Sequence, residues 1–166
     1  MAAASNFKDP NALALAVLRI AVGILFLIFA QYKVFGTQFT LHGGFQFWIN
    51  RFLEDGAYPF MKPILKNFVL PNATPLAFFV AYGELAIGIS LVTGILVRAA
   101  SFFGLIFMLS LLFSSNYPGP QAPLWQYFGA SLDHSVLALC LAAFAIGDSD
   151  EMLSVRPYLK RFRRKK

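Results

Sequence analysis

Four apolar runs, each long enough to cross a hydrocarbon layer, constrain this chain more than any other feature of it. A bilayer core of about 30 Å needs roughly 20 helical residues. Runs of that length lie at about 13–33, 76–97, 99–117 and 127–147. Hydrophobic residues make up 58% of the 166 and charged ones only 13%. Soluble domains carry about a quarter charged residues. Water is therefore the wrong solvent, and the expected fold is all-α: an integral membrane four-helix bundle in one domain, 13–147, between a polar N-terminus, 1–12, and a tail, 148–166.

Charge placement sets the expected orientation. Seven of the 14 basic residues fall in the tail: Arg156, Lys160, Arg161, Arg163, Arg164, Lys165 and Lys166. With Lys8 and Arg98 they bias one side of the bundle, against Lys33, Arg51, Lys62 and Lys66 on the other. By the positive-inside rule both termini are cytoplasmic. The tail suits anionic lipid or a soluble partner. Its clustering, with most phenylalanines in apolar runs, disfavours a nucleic-acid groove. The first run contains Arg19 and lacks a small-residue cleavage site, so it reads as a retained span.

The segment 34–75 is mixed. Phe45, Ile49 and Phe52 recur at helical spacing, and Phe60, Ile64 and Phe68 do so after Pro59. Two short amphipathic helices are expected there, capping the bundle or lying on the membrane surface. Trp48 and Trp125 fall on this outer side and suggest an aromatic belt.

Charged side chains inside spans cost about 2.5–3.5 kcal/mol each on insertion scales. Arg19 and Glu84 stand out, and an Arg19–Glu84 ion pair is expected to form an intramembrane polar core. It either fixes helix register or uses Glu84 as a proton carrier or ligand anchor. Gly23 and Gly88 follow these residues at i+4 and should let two helix backbones approach. A second set, Gln31, Lys33, His42, Asp133 and His134, falls on the outer side and is the candidate polar or quinone pocket. A histidine such as His134 near a membrane interface can handle protons.

Much chemistry is disfavoured. Cys140 is alone, so no internal disulfide or CxxC relay exists. His42 sits in a His-Gly-Gly loop rather than on a span, which disfavours a bis-histidine haem. Two scattered histidines make no metal site. No intrinsic cofactor is expected.

Leu18-Arg19, Gly23 and Lys33 in the first run resemble the opening of the DoxX family. Gly83-Glu84, Gly88, Leu91, Gly94 and Arg98-Ala99-Ala100 resemble its second span and turn. The length and aromatic outer segment resemble the DoxD branch, the small subunit of thiosulfate:quinone oxidoreductase. The resemblance implies a multi-pass protein of a bacterial or archaeal cytoplasmic membrane, linked to quinone-coupled sulfur oxidation. Quinone is the candidate ligand. Other membrane subunits or further copies of the chain are the candidate partners, besides the lipid bilayer. Three functions stay open: a membrane subunit of a quinone-linked oxidoreductase, a structural accessory subunit, and a small proton-coupled transporter.

Overall fold

Pro10 opens the first helix, α1 (Pro10–Phe35), where a missing N–H breaks no intrahelical bond. The structure, a computed structural model, describes residues 10–129, 132–150 and 152–155. Along α1 the buried positions are Ala16, Arg19, Val22, Gly23, Phe26 and Ala30, one stripe at helical spacing. Val17, Leu18, Ile24, Leu25, Ile28 and Phe29 lie exposed on the other faces. A helix apolar both inward and outward needs an apolar surrounding.

Two short helices follow, α2 (Thr37–Thr40) and α3 (Gly44–Asp55). The first expected amphipathic helix is α3. Ile49 packs inward with Ala57 and Leu65, Phe47 and Trp48 are exposed, and Arg51 pairs with Glu54 and Asp55 on the polar side.

The second expected amphipathic helix is not a separate element. From Met61 the chain stays helical to Thr93: α4 (Met61–Ile64), a π turn (Leu65–Val69), a 3-10 turn (Leu70–Asn72) and α5 (Ala73–Thr93). Pro71 explains the irregular middle. It offers no N–H to the preceding turn and its ring crowds the carbonyl four residues back, so the coil widens rather than breaks. Asn72 Nδ2 donates to the Phe68 carbonyl at 2.8 Å, satisfying an acceptor in the disturbed turn.

Gly94, in the left-handed region at φ 77°, ends α5, and α6 (Val97–Ser115) begins three residues later. The result is a tight hairpin, with Arg98 already inside α6. After α6 comes a short 3-10 turn (Leu124–Phe128), and then α7 (Asp133–Ile146). α1, the Met61–Thr93 run and α6 are long and apolar enough to cross a membrane. The fourth differs from expectation: α7 has 14 residues, not 21. Gly129 and the 3-10 turn occupy the stretch around Tyr127 where a longer helix was expected to begin.

α1 packs chiefly on α5, and α6 on α7, with α5 and α6 joining the two pairs. The shared core gathers Val22 and Phe26, Ile87 and Leu91, Val97 and Met108, and Leu141 and Phe144. At the end of the bundle away from Pro10, Tyr58 Oη donates to the Tyr127 carbonyl at 2.7 Å, and Tyr127 Oη to that of Gly119 at 2.8 Å. Burial, and then the neighbouring Tyr127 and Tyr117, push the Tyr58 phenol above its ordinary value.

Candidate functional site

The register of α1 against α5 decides which polar groups meet. A Cβ on Gly23 would lie 2.9 Å from Leu91 Cβ and 3.0 Å from the Val92 backbone nitrogen. One on Gly88 would lie 2.7 Å from Leu27 Cδ2 and 3.0 Å from the Leu27 nitrogen. Both glycines thus sit where the antiparallel backbones touch, as small residues do in membrane helix pairs. Gly23 against Leu91 and Leu27 against Gly88 form a ladder. Extended one way it brings Lys33 to Glu84; extended the other way it brings Arg19 to Gly94.

Lys33 Nζ donates to both carboxylate oxygens of Glu84, at 2.5 and 2.6 Å. The side chains are 12% and 5% exposed, so the pair is buried. Phe39 covers it. That ring is packed by α2 onto Ala77 and Ala81 of α5, and its centroid lies 5.2 Å from the ammonium. The Tyr32 ring lies 5.7 Å from it on another side. An ammonium beside aromatic rings gains a further electrostatic contact.

Arg19 does not pair with Glu84. It lies 14 residues from Lys33 on α1, about 21 Å along the axis. The expected pair takes Arg19 and Glu84 to lie at similar depths in the bundle. The glycine contacts instead place Arg19 at the very end of α5, so α1 overhangs that end. There Arg19, fully buried, donates through Nη2 to the carbonyls of Leu153 at 2.9 Å and Met152 at 3.3 Å. The segment after α7 folds back under the bundle as a strap. Val155 N–H donates to the Thr93 carbonyl at 3.0 Å and Ser154 Oγ to that of Gly94 at 3.2 Å. Ser149 and Asp150 are buried on the strap. Arg98 Nη2 meets Asp148 Oδ1 at 2.8 Å on the exposed rim.

The five residues expected to line one outer pocket are spread over separate places. Lys33 is in the ion pair and Gln31 is exposed on α1. Exposed His42 places Nδ1 3.1 Å from the Thr37 carbonyl within its own loop. Asp133 is exposed, and half-buried His134 directs Nδ1 to Asn116 Oδ1 at 2.9 Å, between α7 and α6. No contact among the described residues joins the Asp133–His134 group to Lys33. The basic tail, Arg156, Lys160, Arg161, Arg163, Arg164, Lys165 and Lys166, lies outside the described residues. What sequence reasoning missed is Phe39 as a cover and the strap as the partner of Arg19. The contacts of Gly23, Gly88 and Gly94 carried a signal for the second, since they fix where Arg19 ends up along α5; nothing in the sequence marked Phe39.

Apolar long helices, lipid-facing flanks and a buried charge pair define the class: a polytopic helical membrane protein. More narrowly, the chain belongs to the DoxX family, whose model matches residues 14–116, more than half of the sequence. The match runs through Arg19, Lys33, Glu84 and Arg98 and ends at Asn116, before α7. Neither the curated proteins nor the solved structures give a match.

Proposed function

We propose that this protein is a membrane subunit of a quinone-linked oxidoreductase, with the thiosulfate:quinone type as the specific candidate. The Lys33–Glu84 pair would be the polar anchor for a quinone headgroup. The observation that carries the reading is that pair: a carboxylate and an ammonium held between membrane helices and walled by Tyr32 and Phe39. Hydrogen-bonding groups set among aromatic rings suit an apolar molecule with a polar head. Family membership supports the same direction. Electrons would be carried by the quinone and by a partner subunit, since cofactors and not side chains carry such chemistry. The charge bias supports a bacterial or archaeal cytoplasmic membrane with both termini in the cytoplasm.

The test is saturable binding of decylubiquinone to the purified full-length protein in lipid nanodiscs, measured against empty nanodiscs. Binding is expected, and it should vanish in the Lys33→Met/Glu84→Met double variant. Absence of saturable binding of both decylubiquinone and decylubiquinol to the wild-type protein refutes the reading.

A second reading has its own support. The glycine contacts that bring Lys33 to Glu84 also make the pair a register lock. A structural accessory subunit would need no more than that. It predicts co-purification with a larger complex whose turnover is unchanged by the double variant.

A further inference from the structure

We propose that the Lys33–Glu84 site prefers a hydroxyl headgroup over a carbonyl one, and therefore binds quinol more tightly than quinone. The inference rests on the quinone reading above and adds which redox form the site holds. An ammonium has three hydrogens to give and nothing to accept with; an ionised carboxylate only accepts. Two of the Lys33 hydrogens go to the two Glu84 oxygens. Among the described residues no other oxygen or nitrogen bonds to either group, and the rings of Tyr32 and Phe39 flank the ammonium. The site therefore has one N–H and several carboxylate lone pairs in hand.

A quinone carbonyl can accept from that N–H but turns its own lone pairs toward the carboxylate. A quinol hydroxyl accepts from Lys33 and donates to Glu84 at the same time. The second bond is charge-assisted, the stronger class of hydrogen bond. Leaving Glu84 facing a carbonyl forgoes it.

The cover is a short element between glycines. α2 is four residues long and stands between Gly36 and the Gly43–Gly44 pair, with Gly43 at φ 80°. Such short segments between glycines absorb large backbone changes at low cost. Phe39, the residue α2 lays over the pair, also lines a shallow recess with Thr40, Gln46 and Thr74. Displacing Phe39 gives a headgroup both a way in and an aromatic wall.

The experiment compares decylubiquinol with decylubiquinone on the full-length protein in nanodiscs, without oxygen. Quinol should bind about tenfold more tightly, the effect of one hydrogen bond to a charged group. In Glu84→Gln, whose amide both donates and accepts, the preference should fall to within about twofold, on the same donor and acceptor grounds. The wild-type comparison decides the matter even if that variant does not fold. Quinone binding as tightly as quinol overturns the preference and leaves the quinone reading intact; no saturable binding of either form overturns both.

Discussion

Replacing Lys33 by methionine would strand the Glu84 carboxylate at 5% exposure, and replacing Glu84 would strand an ammonium at 12%. Neither group has another ionic partner among the described residues, so nothing nearby can take over the lost contact. Removing one member of a buried pair costs about 3–5 kcal/mol, because the remaining charge stays desolvated. Replacing both by apolar residues of similar volume is neutral or stabilising by about 1–4 kcal/mol. The double variant should therefore be more stable than either single one by at least about 3 kcal/mol. Equilibrium unfolding of the four proteins in mixed micelles, followed by tryptophan fluorescence and far-ultraviolet circular dichroism, measures the cycle. The reasoning is refuted if either single change costs less than about 1 kcal/mol, the range of an exposed pair. It is refuted equally if the double loss is the sum of the single ones. The cycle also underwrites the binding tests, since a stable double variant that no longer binds ligand has lost a site and not a fold.

At the other end, Gly94→Ala should release the strap. Its Cβ would stand 2.6 Å from both Arg19 Nη1 and Ser154 Oγ at a backbone φ of 77°. A loss of about 1–3 kcal/mol and faster amide exchange at 152–155 are expected; unchanged exchange there would show that the strap is not held by this contact. The Tyr58 phenol gives a pH signature. Its folded value is raised, by burial first and by Tyr127 and Tyr117 next. A raised folded value means the contribution is complete below the ordinary tyrosine value of about 10 and is lost as pH rises through the folded one. Thermal stability should fall above about pH 10 less steeply in Tyr58→Phe than in wild type, and identical slopes would remove Tyr58 from the account.

The helices and the glycine seam were legible because they depend on local pattern. Long apolar runs mark α1, α5 and α6, and small residues at i+4 mark where backbones touch. Arg19 and Glu84 were visible as costly charges, and Lys33 as a member of the outer polar set. Their partners were not, because pairing depends on how far one helix slides along its neighbour, and run ends do not fix that. The overhang of α1 past Gly94 turned an expected Arg19–Glu84 pair into two contacts at different depths. The Phe60, Ile64 and Phe68 spacing after Pro59 looked like a short surface helix, and the disturbance at Pro71 further on looked like its end only in the absence of a wider turn. A π turn absorbs the disturbance instead. Asp133 and His134 shared a side with Lys33 but not a neighbourhood, which spans alone cannot reveal.

The uneven heights of the bundle have a consequence for the membrane itself. α1 rises about 39 Å over its 26 residues, while α7 rises about 21 Å over 14. A flat hydrocarbon slab cannot match both flanks. Lipids bordering α7 must shorten or splay while those along α1 stretch or the whole molecule leans, each at a fraction of a kcal/mol per Å of mismatch. The protein thus carries a thickness gradient around its circumference, and short-tailed lipids should gather at its α7 flank.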